Sequence, residues 1–256
     1  MNYKLLVDTA ILAGEIMLRS GAETYRVEDT IIRILRTSKL QKSEAFVTST
    51  GIIVTLDDPT IDAISLVQRV TTRSTNLTNI YEANEISRKL CSERITIEEA
   101  YPLLKELKDK KPYPLWLVYA CTVFTAVFFT VLLAGTLIDA SLAFLNGILM
   151  VGCMILERKL RLHGFITNML SSFLIAINTV ILLSCLHHGV NREIIITGSI
   201  MPMVPGVAIT NAIRDTLQGD YMSGSAKALE AFVSAASIAA GIGAGLSLGY
   251  YLGGML

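Results

Sequence analysis

Short amphipathic segments fill the first 112 residues of this chain, and long uncharged runs fill the rest. Over residues 3–19, apolar side chains recur at helical spacing: Leu6, Ala10, Ala13 and Met17 on one line, with Leu5, Leu12 and Ile16 beside it. Ser20-Gly21 predicts the stop of this helix. Ala22-Glu23-Thr24-Tyr25 leads into a second helix, with Val27, Ile31, Ile34 and Leu35 on one side, ending near Lys39. Residues 45–56 are rich in Val, Ile, Thr and Phe and predict a strand. Asp57-Asp58-Pro59-Thr60 predicts a turn, and residues 61–70 a second strand. Gly51, inside the first strand, predicts a bulge or a close approach of another backbone. Two amphipathic helices follow, at about 76–90 and 96–110, the second opened by a Thr96 to Glu99 capping box. The expected layout of residues 1–112 is an α+β domain of order ααββαα.

Beyond residue 112 the pattern changes to membrane spans, each needing about 20 apolar residues to cross as a helix. Five stretches qualify, at roughly 115–138, 141–156, 165–186, 194–213 and 231–256, so residues 113–256 read as an all-α polytopic membrane domain of five transmembrane helices. The second is short, ending before Glu157. Composition agrees: 52% of residues are hydrophobic and mean hydropathy is +0.53, above the usual range of a soluble domain. Of the 22 basic and 22 acidic residues, only 12 lie after residue 112. Lys108, Lys110 and Lys111 precede the first span; Arg158, Lys159 and Arg161 separate the second and third; Arg214 and Lys227 separate the fourth and fifth. By the positive-inside rule these loops are cytoplasmic, so the N-terminal domain is cytoplasmic and the C-terminus outside. Asp8 and Glu15 interrupt the first apolar run, which argues against a signal peptide.

The chemistry concentrates at residues 198–220. Nothing between 194 and 213 is charged, yet Pro202, Pro205 and Gly206 fall in its middle, so a helix there must kink or open. Lipid does not solvate freed carbonyls, and broken helices at mid-membrane are where secondary transporters hold substrates and ions. Thr210, Asn211, Arg214 and Asp215 follow and are the expected lining of a substrate or ion pathway, with Arg214 drawing a carboxylate and Asp215 pairing with Arg214 to gate it. A structural kink with a polar helix end is the plainer alternative. Asp139 is expected at the interface, or, if buried, as a proton-coupling group. Asn146, Asn168 and Asn178 lie inside spans and either bond neighbouring helices or line a path. In the first domain Glu15, Arg19, Glu23, Thr24 and Glu28 mark a helix junction that either binds a ligand or the membrane domain, or is a hairpin with solvated charges. Ser237, Gly241, Gly245, Gly249 and Gly253 recur every four residues and predict a close helix contact. His187-His188 reads as a wet loop.

Several classes are disfavoured. Cys91, Cys121, Cys153 and Cys185 stand far apart and form no C-x-x-C pair, and with three histidines no metal-ligand cluster is expected. Zero net charge without a basic stripe argues against nucleic acid. No G-x-x-x-x-G-K-[ST] loop occurs, so transport is expected to draw on the proton or membrane potential, with no cofactor.

These residues resemble the threonine/serine exporter family, in particular its separate large subunit, the YjjP-like proteins. The resemblance rests on Ala13-Gly14-Glu15-Ile16-Met17-Leu18-Arg19-Ser20-Gly21-Ala22-Glu23-Thr24, on Gln68-Arg69-Val70, Asn76-Leu77 and Asn84-Glu85-Ile86-Ser87-Arg88, and on residues 202–224. It implies a multi-pass subunit of the bacterial plasma (inner) membrane that works with a small four-span membrane partner. The implied cargo is threonine and serine or, in the split form, succinate. Ending after its fifth span, the chain resembles the separate subunit. Membrane lipid and other copies of the chain are further expected partners. Two other readings stay open: a membrane-anchored metabolite sensor or scaffold, and a membrane-face hydrolase using Glu15, Glu23 or Glu28 as acid or base. The first domain contains no histidine and no G-x-S-x-G elbow, and no catalytic residue is assigned.

Overall fold

The structure, a computed structural model, describes residues 2–71, 74–110, 113–185 and 190–253. Its described residues form ten α-helices, one 3-10 turn and a three-stranded antiparallel sheet, grouped into two compact units. One unit combines Met1–Lys111 with Gly206–Leu229, and the other Pro112–Pro205 with Glu230–Leu256.

In the first unit, α1 (Tyr3–Arg19) packs against α2 (Thr24–Arg36), α3 (Leu77–Cys91), α4 (Ile97–Asp109) and the sheet. The Asn2 side chain starts α1 by accepting the Leu5 N–H at 3.1 Å. The apolar line read from the sequence is its buried face: Leu6, Ala10, Ala13 and Met17 are inaccessible to solvent. Gly21, with φ +87°, ends the helix in a left-handed conformation that costs a side-chain-bearing residue about 1–2 kcal/mol. Capping of α4 follows the expected chemistry, Glu99 accepting the Thr96 N–H at 2.8 Å.

The sheet has three strands rather than two: β1 (Lys42–Thr48), β2 (Gly51–Asp58) and β3 (Ile61–Arg69), in that order. The single strand expected over 45–56 folds back at Ser49-Thr50, where Thr48 pairs with Gly51. The Thr48 hydroxyl drives this, accepting the Thr50 N–H and donating to the Gly51 carbonyl, each at 3.3 Å. Gly51 therefore opens β2, and the ladder irregularity lies between Leu56 and Asp58 instead. Ile52, Val54 and Leu56 point into the core while Ile53 faces out, the alternation a one-sided sheet requires.

The second unit contains α5 (Leu115–Leu132), α6 (Leu137–Leu160), α7 (Gly164–Cys185), α8 (Arg192–Ile200) and the 3-10 turn Met201–Met203. Among the described residues four helices are long and apolar enough to cross a membrane, and a fifth span results if Arg192–Met203 and Gly206–Leu217 count as one broken span. The second span is longer than expected: α6 has 24 residues, taking Asp139 into its first turn and Arg158 and Lys159 into its last. There Asp139 accepts the Thr136 N–H and hydroxyl at 2.8 and 2.9 Å, so this acid starts the helix.

The expected fourth span opens as its prolines require. After the 3-10 turn, Val204 is extended (φ −63°, ψ 125°), as a residue preceding proline must be, and α9 (Gly206–Leu217) begins beyond Pro205. The last helix, α10, runs Tyr221–Gly253. Its small-residue ladder meets α7 within the second unit. A Cβ at Gly245 would stand 2.5 Å from the Phe173 carbonyl oxygen, one at Gly249 3.0 Å from Val180, and one at Gly241 would collide with Met169 and Ser172. Ser237 is fully buried on the same face, and Gly253 closes the helix. His187-His188 lie outside the described residues.

Candidate functional site

The first unit holds a buried polar cluster at the start of α2. Glu23 is the N-cap of α2, but its side chain makes no cap bond. A carboxylate from elsewhere in the unit takes that place. The Thr24 N–H donates to Asp215 Oδ1 and the Thr24 hydroxyl to Asp215 Oδ2, each at 3.1 Å. Lys227 Nζ, from the second turn of α10, donates to the same Asp215 Oδ2 at 2.6 Å and to Thr24 Oγ1 at 3.2 Å. Asp215 is 0% exposed and Lys227 6%, so the pair is removed from water. Both carboxylate oxygens are thus held, by a helix N-terminus, a hydroxyl and an ammonium.

Two further bonds surround this core. Asn211 Nδ2 donates to the Gly21 carbonyl at 2.8 Å, and the Arg214 guanidinium bonds Glu23 Oε1. Arg26 reaches the other Glu23 oxygen at 3.3 Å. Burial pushes the Glu23 carboxyl up, but its own backbone N–H, Arg214 and Arg26 outweigh it and hold the group below its ordinary 4.5. Glu28, one turn on, moves the other way: burial raises it and the nearby Asp220 adds to this, against the Val47 N–H it accepts at 3.2 Å.

The expected pairing of Asp215 with Arg214 is replaced by Lys227 and Thr24 for the one and Glu23 for the other. Adjacent residues on a helix do not face each other, which separates these two side chains. The five residues singled out in the first domain also part company. Glu23 and Thr24 join the cluster, Glu15 pairs with Lys108 at 2.8 Å, Glu28 holds β1, and Arg19 is exposed. Thr210 is exposed and bonds back to Gly206 O of its own helix at 2.9 Å. Sequence reasoning missed Lys227, counting it only as a loop charge. The available signal was a cation 12 residues after an acid, set with Glu230 as the only charges of a long helix.

The second unit carries an uncharged polar cluster. Asn146 Nδ2 of α6 donates to Thr179 Oγ1 of α7 at 3.0 Å and Ser199 Oγ of α8 at 3.1 Å; Asn178 Nδ2 donates to Asn146 Oδ1 at 2.8 Å. Asn146, Thr179 and Ser199 are fully buried, so three helices share one amide–hydroxyl knot two residues before the turn at Met201–Met203. Gly198 lets α8 approach α5, since a Cβ there would lie 2.7 Å from Thr130 Cα. Pro202 borders a groove of about 530 Å³ along α5, with Leu117, Cys121, Thr122 and Thr125. Both of those threonine hydroxyls bond their own helix, leaving the groove largely apolar. Asp139 is buried, and besides its helix-start bonds it accepts the Asn191 N–H at 2.9 Å. Among the described residues no three His, Cys, Asp or Glu side chains gather as metal ligands.

Residues 8–249 match the family model "Putative threonine/serine exporter". A curated Mycobacterium tuberculosis protein, "Probable threonine/serine exporter", is 25% identical over 247 residues, which cover 93% of this chain and 45% of the relative. The chain thus spans about half the length of that relative. No solved structure matches it.

Proposed function

The chain belongs to the threonine/serine exporter family, and from that premise we propose that it is a subunit of a secondary-active exporter moving small carboxylate metabolites out across the bacterial plasma membrane. The cargo is threonine and serine, or a dicarboxylate such as succinate. A small four-span membrane protein completes the exporter, and the M. tuberculosis relative, about twice as long, leaves room in the family for a second module. Residues 1–112 and the N-terminus face the cytoplasm and the C-terminus faces out, in keeping with the basic loops. The carrying observation is the Asn146–Asn178–Thr179–Ser199 cluster: neutral hydrogen-bonding groups buried among apolar helices, next to a helix interrupted at Val204-Pro205. Such a cluster offers a polar solute hydrogen bonds without a fixed charge to trap it. Pro202, Pro205, Gly206 and Thr210 mark the break and its far side, and Asn211, Arg214 and Asp215 hold α9 to the α1–α2 turn.

The test is release of preloaded labelled threonine, serine and succinate from cells making this chain, with and without the small membrane partner, at matched protein levels. Faster release of one of them only when both proteins are present is the expected outcome and identifies the cargo. Unchanged release of all three contradicts the proposal and shifts weight to a membrane-anchored sensor.

A further inference from the structure

The buried pair Asp215–Lys227 is costly to keep. Removing two charges from water is repaid only by good geometry, and apolar pairs of similar volume are often as stable. Its surroundings match a carboxylate closely: each Asp215 oxygen has its own Thr24 donor at 3.1 Å, and Lys227 stands at 2.6 Å. Ser223, one helical turn before Lys227 on the same face of α10, is fully buried, and its hydroxyl has no hydrogen-bond partner among the described residues. A buried hydroxyl without a partner costs about 1–3 kcal/mol, and it marks unused polar capacity on the α10 face that carries Lys227.

We infer that Asp215 and Lys227 form a recognition site for a zwitterionic amino acid, which inserts between them. The inference rests on the exporter reading and narrows its substrate. The ligand's carboxylate replaces that of Asp215 on Lys227 and the Thr24 donors, while its ammonium pairs with the released Asp215. The N-terminus of α2 stays capped throughout, because one carboxylate succeeds another. Charge selects the ligand: a zwitterion leaves the buried group neutral, with alternating signs. A dicarboxylate places two negative charges against one ammonium beside a third carboxylate. Arg214 and Arg26 do not relieve that excess, since both are engaged with Glu23. The turn joining the two helices supplies the movement. Gly219 there has φ +90°, and the Asp220 N–H bonds the Asp215 carbonyl at 2.9 Å, so α9 and α10 meet at a short hinge beside the pair.

The purified full chain, in lipid nanodiscs, is titrated with L-threonine, N-acetyl-L-threonine, L-threoninamide and succinate, reading heat of binding and Tm. Threonine is expected to bind and raise Tm. The acetylated analogue lacks the ammonium, the amide lacks the carboxylate and succinate lacks both the ammonium and charge balance, so each is expected to bind at least tenfold more weakly. Lys227→Met and Asp215→Asn are each expected to weaken threonine at least tenfold. Absence of threonine binding overturns the inference, as does succinate or N-acetylthreonine binding within tenfold of threonine. The analogue series uses the unaltered chain, so its outcome does not depend on the variants folding. Cellular release of cargo without this selectivity removes the zwitterion site and leaves the exporter. Selective binding without release of any cargo does the reverse.

Discussion

Asp215 carries more of the first unit's polar structure than any neighbour, being the partner of Thr24 and of Lys227 at once. Asp215→Ala strands a buried ammonium and uncaps α2, and is expected to destabilise the chain by about 3–5 kcal/mol, read from denaturant unfolding in detergent. Thr24→Val keeps the N–H bond but loses the hydroxyl, and is expected to cost about 1 kcal/mol; equal losses for the two variants would contradict this division of roles. Glu23 adds a pH dependence with a definite sign. Its folded carboxyl titrates below its ordinary 4.5, so its contribution is complete above that value and is lost as pH falls through the folded one. Glu23→Gln is expected to flatten that acid limb in unfolding curves between pH 6 and 3 (values on the order of the carboxylate range), and an unchanged limb would remove Glu23 from it. At this scale the sequence named Asn211, Arg214, Asp215, Glu23 and Thr24, but the one pairing it offered, Arg214 with Asp215, is not the one the structure makes. Lys227, Ser199 and Thr179 were not legible as partners, because only the fold brings them to Asp215 and Asn146.

Glycine spacing on α10 illustrates what a pattern tells about an element. The four-residue repeat predicted close packing, and the partner is α7. Gly245→Val forces these helices apart, since even a Cβ meets the Phe173 carbonyl oxygen, and is expected to cost about 1–3 kcal/mol or more. Gly243, on the same helix, has open space at its Cβ, and Gly243→Ala is expected to leave stability unchanged or slightly raised. Thermal unfolding of both variants in one detergent checks the contrast; comparable losses would mean that α10 is sensitive for reasons other than the α7 contact. Helix positions were legible because their period and caps are local: Asn2, Asn76 and Thr96 all stand where helices start. The β1–β2 hairpin was not, because Ser49-Thr50 lacks the usual Gly or Asn turn residues and the Thr48 hydroxyl makes the bend instead. The start of α6 was misplaced because Asp139 looked like an end to an apolar run, whereas an acid in a first turn favours a helix.

For the whole molecule, hydropathy separated a charged part from an apolar one, and that contrast survives in the four or five candidate spans. What hydropathy did not announce is that Gly206–Leu229 packs into the same compact unit as residues 1–111. The two prolines explain it physically. Once the helix opens at Val204-Pro205, α9 is free of α8's backbone ladder and takes its partners from Gly21, Glu23 and Thr24. Family membership supports the proposed exporter role, and two polar clusters give that proposal its candidate chemistry. The most direct test of the central claim is release of labelled L-threonine from sealed vesicles containing the purified chain and the proposed small membrane partner. Release faster than from protein-free vesicles, and lost when Asn146 and Ser199 are both replaced by alanine in a stably folded protein, is the predicted result. Threonine that binds the chain yet leaves these vesicles no faster than empty ones would contradict the account.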